Sequence, residues 1–179
     1  TPAVMQAAAS VGAGFLNDVR ALMHPGALHV VASLDLPVCL MHMQGEPKIM
    51  QDDPQYDDVT TQVVEFFRCR ISACEAAGIN RSRLLLDPGF GFGKTLQHNL
   101  QLLNRLPQLA KMGLPVLVGM SRKSMIGKVL SKPVDKRLYG GLAVAVMALE
   151  RGASIVRVHD VASTYEALGM AAAVLAENV

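Results

Sequence analysis

Five short apolar segments recur along the chain, and each ends in polar or charged residues. The apolar positions within a segment are consecutive instead of alternating, which is typical of parallel strands buried on both faces. The predicted strands cover residues 13–16, 36–41, 84–86, 114–119 and 154–156. Because parallel α/β folds bind ligands at the carboxyl ends of their strands, the polar residues that follow these segments mark the expected functional site.

Helical patterns separate the strands, at residues 2–10, 26–33, 56–77, 96–112, 137–151 and 163–177. Pro107 is expected to end or bend the fourth helix, and Ser163 to cap the last one, with Glu166 at capping-box spacing. Four glycines ahead of the strands are expected to end helices: Gly12, Gly78, Gly113 and Gly152. This alternation of strands and helices predicts a parallel α/β fold.

Composition narrows the function classes. The 179 residues suit one domain, and the net charge of +2 is too small to indicate binding to nucleic acid or an anionic membrane. No apolar run reaches a membrane span, and the first residues lack the charged region of a signal peptide. Cys39, Cys69 and Cys74 lack metal-site spacing and are interpreted as core residues of a reduced, cytoplasmic protein. Residues 44–55, which are polar, are expected to form a mobile loop over a site.

The most informative segment is Asp87 to Lys94, Asp-Pro-Gly-Phe-Gly-Phe-Gly-Lys, directly after three leucines. A carboxylate at the end of a buried strand is costly unless something there needs it. Asp87 therefore either contacts a substrate or caps the next helix, and both interpretations stay open. The sequence Gly93-Lys94-Thr95 matches the end of a nucleotide-binding P-loop. Pro88 occupies the position of that motif's first glycine, so the P-loop remains only an alternative.

Four motifs together resemble bacterial dihydropteroate synthase, and Asn17-Asp18 precedes them. They are residues 41–45 (Met-His-Met-Gln-Gly), 87–94, 119–124 (Gly-Met-Ser-Arg-Lys-Ser) and 157–160 (Arg-Val-His-Asp), in family order across essentially the whole chain. The resemblance implies a (β/α)8 barrel of the TIM type. It also implies a transferase of folate biosynthesis that joins para-aminobenzoate to a dihydropterin methyl pyrophosphate and releases pyrophosphate. A homodimeric sulfonamide target is implied as well.

The chain departs from the family in its number of strands. A complete barrel has eight strands and about 250 residues, whereas five strands are predicted in residues 1–179. The resemblance therefore implies a single pterin-binding barrel domain without its N-terminal part. That part would carry the loop for magnesium and pyrophosphate, the aminobenzoate lid and one of two pterin-binding aspartates. We expect Mg²⁺ as a cofactor with its ligand in the absent part, no metal ligand within these residues, and no activity from this chain alone.

The resemblance assigns the pterin to Asn17, Asp87 and Lys123, with Met41 as an apolar wall. A pterin edge presents ring donors, which a carboxylate can accept in charge-assisted hydrogen bonds, and an asparagine offers both a donor and an acceptor. The alternatives are a solvated loop lysine for Lys123 and ordinary core packing for Met41.

Arg157 and His159 are expected to bind the pyrophosphate. Two positions apart on a strand, they would share one face, and two cation-capable side chains together need an anion. The alternative is an ion pair with Asp160 or another neighbour. With Asp87 and Lys123, these two residues complete the predicted catalytic set.

The loops that carry Phe92 and Ser121 shape the aminobenzoate pocket by resemblance, and Gly119 is included among the substrate-binding positions. Loop packing for Phe92 and capping of the next helix by Ser121 are the alternatives. Two other functions remain open: the pterin-binding domain of a methyltetrahydrofolate-dependent corrinoid methyltransferase, and a non-catalytic pterin-binding module. Two segments, Ser121-Arg122-Lys123-Ser124 and Arg157-Val158-His159, favour the synthase, because a methyltransferase has no pyrophosphate to hold.

Overall fold

The computed structural model describes residues 1–45, 50 and 52–177. Within these residues lie the five predicted strands, in the predicted order, and eight α-helices, whereas six helices were predicted. The strands are β1 Leu16–Asp18, β2 Val38–Met41, β3 Leu84–Asp87, β4 Leu117–Val118 and β5 Ile155–Val156. The helices are α1 Pro2–Ser10, α2 Ala27–Ser33, α3 Val59–Ala76, α4 Leu96–Asn104, α5 Pro107–Ala110, α6 Ser124–Leu130, α7 Leu138–Glu150 and α8 Val161–Ala176, with 3₁₀ turns at Arg81–Arg83 and Val134–Lys136.

All strand pairs are parallel and follow chain order. β1, β2 and β3 form one sheet, β4 pairs with β5, and a bridge between Leu86 and Val116 connects the two sheets. Sequential parallel strands covered by helices are the arrangement of a (β/α)8 barrel, of which the described residues supply five strand–helix units. The predicted fold class is confirmed.

Side chains on the strands alternate between two separate apolar clusters. The outward-facing residues, such as Val38, Leu40 and Leu86, pack with the helices in the main core. Cys39, Leu85 and Leu117 form a second cluster on the inner face. Because successive strand side chains alternate, Met41 and Asp87, two positions after Cys39 and Leu85, project from this inner face at its carboxyl end.

Two predictions about helices are wrong. Helix α6 was missed, because its seven residues include Gly127, which disfavours a helix, and no side chain caps its first turn. The predicted cap at Ser163 lies within α8, which begins at Val161 with Asp160 in the capping position. The first turn closes on Asp160 instead, since the amide and the hydroxyl of Thr164 both donate to its carbonyl oxygen. The capping box occurs at α4, between Thr95 and His98.

Most of the local backbone predictions are confirmed. The four glycines, Gly12, Gly78, Gly113 and Gly152, have φ of 94°, 85°, 75° and 93° and follow helices α1, α3, α5 and α7. Pro107 begins the separate helix α5 after α4 has ended.

Cys39 and Cys74 are buried, but Cys69 is exposed on α3, so it is not a core residue. The predicted loop over residues 44–55 includes residues 46–49 and 51, which lie outside the described ones, and it stays a prediction. No helix in the described part of the chain is long and apolar enough to cross a membrane.

Candidate active site

The predicted site residues gather at the carboxyl ends of the strands, around Asp87. Asp87 ends β3 and is only 2% exposed. Its Oδ1 accepts a hydrogen bond from the amide of Gly89 at 2.8 Å, while Oδ2 accepts none from the described residues. In register beside it lies the buried Met41, on β2. Asn17 is the middle residue of β1, in register with Cys39, and its side chain is exposed.

Three cations act on the Asp87 carboxylate. Burial raises its pKa, whereas the Gly89 amide and the positive charges of Lys123, Arg157 and Lys94 lower it. These cations come from three different loops, after β3, β4 and β5. The site therefore combines one buried acceptor with a strongly positive surrounding, which suits a ligand that has ring donors and an anionic group.

The loop after β3 passes unusually close to the end of β2. Gly89 and Gly93 have φ of 68° and 61°, and a Cβ on them would lie 1.9 Å from the carbonyl oxygen of His42 and 2.3 Å from that of Gln44. Only glycine fits such an approach. The P-loop alternative is wrong, because Lys94, whose ammonium would have to reach a phosphate, is enclosed by protein acceptors.

Lys123 is held against this loop. Its Nζ donates to the carbonyl oxygen of Phe90 and lies 4.6 Å from the centroid of the Phe92 ring, a cation–π distance. Burial lowers the pKa of Lys123 to about 8, although Asp87 opposes this effect. The alternative of a solvated loop lysine is therefore wrong, and both Phe92 and Lys123 face the region of Asp87.

Arg157 presents a cation that no acceptor among the described residues binds. Its amide donates to the carbonyl oxygen of Val118 at 2.8 Å, so the backbone still follows β4 beyond the end of β5. Gly119 supplies the space, since a Cβ there would lie 2.7 Å from the Arg157 guanidinium. An ion pair between Arg157 and Asp160 is ruled out, because Asp160 binds Arg122 with both carboxylate oxygens at 2.6 and 3.1 Å.

His159 is oriented by Ser121. The His159 amide donates to Ser121 Oγ at 3.2 Å, and Nδ1 of the ring lies 3.0 Å from the same oxygen. The ring tautomer sets the direction of this contact: with the ring proton on Nε2, Ser121 Oγ donates to Nδ1 and Nε2–H is the ring donor. Ser121 does not cap α6, whose capping position is Lys123. The expectation of a shared strand face for Arg157 and His159 is wrong, because β5 ends at Val156.

Sequence reasoning missed the contacts that tie the loops together. Arg122, with φ of 59°, and Asp160 link the loops after β4 and β5, 38 residues apart. Lys94 and His42 link the loops after β3 and β2, 52 residues apart. Neither pair has a local signal, and Lys94 was considered only within the P-loop alternative.

Within the described residues, no group of three or more His, Cys, Asp or Glu side chains is arranged to hold a metal ion. That the magnesium ligand belongs to a preceding segment stays a prediction.

Comparison with known proteins agrees with this geometry. The family model described as "Pterin binding enzyme" matches residues 1–159. The chain belongs to the pterin binding enzyme family. Dihydropteroate synthase of Escherichia coli K12 is 55% identical to this pterin binding enzyme over 174 residues, which cover 97% of the chain and 62% of that protein. The chain thus spans less than two thirds of this relative's length.

Solved structures of family members have the same fold as this pterin binding enzyme. Yersinia pestis dihydropteroate synthase in a sulfonamide drug complex matches with a TM-score of 0.95 and 52% identity, over 98% of the chain and 64% of that protein. The Xanthomonas albilineans enzyme in complex with 7,8-dihydropteroate matches with a TM-score of 0.93 and 49% identity, over 99% and 67%. A second structure of the Xanthomonas enzyme, with 4-aminobenzoic acid, has a TM-score of 0.93 and 50% identity, over 99% and 63%.

Proposed function

We propose that this chain forms the pterin-binding and pyrophosphate-binding part of a dihydropteroate synthase. This transferase of folate biosynthesis condenses para-aminobenzoate with dihydropterin methyl pyrophosphate. The observation that carries the proposal is the buried Asp87 carboxylate facing Lys123 and Arg157 at the carboxyl ends of the strands. The Xanthomonas structures with 7,8-dihydropteroate and 4-aminobenzoic acid support these substrates.

Asp87, Lys123, Asn17 and Met41 bind the pterin in this proposal. Asp87 accepts hydrogen bonds from the amino group and the ring N–H through Oδ2, which no described residue occupies. Lys123 donates to the ring's acceptor edge, Asn17 offers both a donor and an acceptor, and Met41 packs against a ring face. A buried carboxylate strengthens these charge-assisted bonds, because the surrounding protein screens them less than water does.

The leaving group lies against Arg157 and His159. The bond between the pterin methylene and the pyrophosphate oxygen breaks, and its electron pair departs with the pyrophosphate. The aniline nitrogen of para-aminobenzoate then bonds to the methylene and loses a proton. The Arg157 guanidinium and the Nε2–H of His159 stabilise the charge that develops on the leaving oxygens, so no protein nucleophile is needed.

The remaining features of the proposal rest on the family resemblance. Phe92, Gly119 and Ser121 border the aminobenzoate pocket, and Mg²⁺ is a cofactor held by a residue outside these 179. The enzyme works in the cytoplasm as a homodimer. The sulfonamide complex of the Yersinia enzyme supports the same drug class as ligands of this site.

The test is a synthase assay on a full-length enzyme, meaning this chain joined to the part of a curated relative's length that it does not span. We expect dihydropteroate to form from pterin pyrophosphate and para-aminobenzoate, with release of pyrophosphate. The absence of product from a folded full-length enzyme that still binds a bare pterin would instead favour a non-catalytic pterin-binding module. Transfer of a methyl group from methyltetrahydrofolate would favour the methyltransferase.

A further inference from the structure

Lys94 is a buried cation whose hydrogen bonds all go to neutral acceptors. It is 3% exposed. Its Nζ lies 2.9 Å from Nδ1 of His42, 3.1 Å from the carbonyl oxygen of Gly89 and 3.0 Å from that of Phe92. An ammonium has three N–H donors, so these partners use all of them. Lys94 therefore cannot contact a substrate directly.

His42 is suited to accept from this ammonium. Burial and the charge of Lys94 lower the pKa of His42 to about 3, so the ring is neutral near pH 7 and can use Nδ1 as an acceptor. Phe66 packs edge-on against the His42 ring with 4.9 Å between the ring centroids. The ring is thus fixed between α3 and the loop after β3.

The two carbonyl groups that bind Lys94 belong to the loop that forms the pterin side of the site. The Gly89 amide donates to Asp87, and the Phe92 ring contacts Lys123. Three glycines with positive φ occur in this loop, and glycine gives a backbone little intrinsic rigidity. A cation that gathers two of its carbonyl oxygens against the end of β2 fixes a loop that the sequence leaves flexible.

Fixing a loop with a buried lysine that hydrogen-bonds no carboxylate costs free energy, because an ammonium loses more hydration on burial than an apolar side chain does. Burial lowers the pKa of Lys94 to about 7, while the negative charge of Asp87 raises it. The same attraction stabilises the ionised form of Asp87. This electrostatic effect is one that a neutral side chain at position 94 could not supply.

We propose that Lys94 and His42 form a buried clamp that positions Asp87 and Phe92 for the pterin, and that the Lys94 charge favours the ionised form of Asp87. The inference rests on the proposed pterin site and adds Lys94 to it as a positioning residue. It predicts that loss of Lys94 impairs recognition of the pterin ring and spares recognition of the pyrophosphate, which Arg157 and His159 bind from the other side of the site.

The test compares Lys94→Met with wild type in the full-length enzyme, using a pterin without pyrophosphate and inorganic pyrophosphate as separate probes. We expect the pterin Kd of Lys94→Met to rise at least about 10-fold, since a hydrogen bond to a charged group is lost on each side of the loop. The pyrophosphate Kd should stay within about 2-fold. Lys111→Met, which removes an exposed lysine after α5, is the matched control and should change neither constant.

A pH profile separates the charge from packing. Without Lys94, the acid-side midpoint of pterin binding, which follows ionisation of Asp87, should move to higher pH, because one positive charge that favours the ionised carboxylate is lost. The other groups that face Lys94 or Asp87 are Cys39 from β2, His42 from the loop after β2, His98 from α4, Lys123 from the loop after β4 and Arg157 from the loop after β5. All are present in both proteins, so the difference between the two midpoints reports on Lys94.

If Lys94→Met does not fold, Lys94→Gln replaces it in the test. The glutamine amide can still donate to the Gly89 and Phe92 carbonyl oxygens, but it carries no charge. We expect Lys94→Gln to show the displaced midpoint as well. Folded variants that bind the pterin with wild-type affinity and an unchanged midpoint would overturn the inference. The proposed function fails separately, if the wild-type enzyme does not bind the pterin or if Asp87→Asn leaves its binding intact.

Discussion

At the scale of single residues, the site is the buried Asp87 carboxylate with three cations around it, Lys94, Lys123 and Arg157. Their positive charges lower the pKa of Asp87. The buried Asp87 carboxylate is stabilised by the hydrogen bond from the Gly89 amide and by three positive charges, which offset part of the desolvation that raises its pKa. Arg157 differs from the other cations, since no acceptor in the described part of the chain binds its guanidinium. This difference separates the residue expected to hold the leaving group from those expected to hold the ring.

Arg157→Ala should therefore discriminate between two ligands. A charge-assisted hydrogen bond contributes about 1.5 to 3 kcal/mol, so pterin pyrophosphate should bind about 10- to 100-fold more weakly. A bare pterin should bind almost as before. Calorimetric titration of both ligands into the full-length enzyme measures this, with the exposed Arg68→Ala as control. Equal losses for both ligands would make Arg157 a structural residue.

Lys123 gives a pH-dependent prediction. Its pKa is lowered to about 8, well below the ordinary lysine value near 10.4. The Lys123 ammonium is therefore charged below pH 8 and loses its charge as the pH rises through that value. Pterin affinity should fall through the same interval. In Lys123→Arg the cation stays charged, and this part of the decline should disappear. An identical decline in both proteins would assign the effect to another group, such as Lys94.

At the scale of elements, the loops after the strands are fixed by glycine geometry and by contacts across the sheet. Gly89 permits the loop after β3 to touch the end of β2, where a Cβ would lie 1.9 Å from the His42 carbonyl oxygen. Gly12 also has a positive φ, of 94°, but nothing lies within 4 Å of the position of its Cβ. An alanine at position 12 would therefore suffer backbone strain alone, whereas an alanine at position 89 would suffer both backbone strain and a steric clash.

Gly12→Ala should cost about 1 to 2 kcal/mol, the penalty of a left-handed conformation for alanine. Gly89→Ala should cost about 1 to 3 kcal/mol more, because a backbone oxygen must also move, and it should weaken pterin binding. Thermal unfolding of both variants of the full-length enzyme provides the comparison. Equal losses of stability, with pterin binding unchanged in Gly89→Ala, would contradict the described approach of the loop to β2.

The elements themselves were largely predictable, because their signals are local. Consecutive apolar residues identify β2 and β3, a helical period identifies α3, and glycines after helices identify their ends. Helix α6 and the start of α8 were not predictable in the same way. Helix α6 contains Gly127 and has no capping side chain, and Asp160 is involved in a distant ion pair. The pairs Lys94 with His42 and Ser121 with His159 connect residues 52 and 38 positions apart. Such contacts exist only once the strands are assembled.

At the scale of the whole molecule, the described residues supply five of the strands of a fold type that has eight. In these residues β1 and β5 each pair on one side only, and an unpaired edge can associate with other strands. We expect the 179-residue chain by itself to form no dihydropteroate, and to aggregate or to bind a complementary N-terminal piece. A synthase assay and light scattering on the purified chain measure both. Turnover by a stable monomer of these 179 residues would contradict this expectation.

The central claim, that Asp87 holds the pterin, is tested most directly by Asp87→Asn in the full-length enzyme. Asparagine preserves the shape, but it removes the charge and replaces one acceptor oxygen with an NH2 donor, which then faces the ring's own donors. Unpaired buried donors cost about 1 to 3 kcal/mol each, so we expect pterin affinity to fall at least about 100-fold. Because burial disfavours the charged form of Asp87, the melting temperature should stay the same or rise. A variant that melts far lower yet binds the pterin normally would make Asp87 a structural cap and place the pterin site elsewhere.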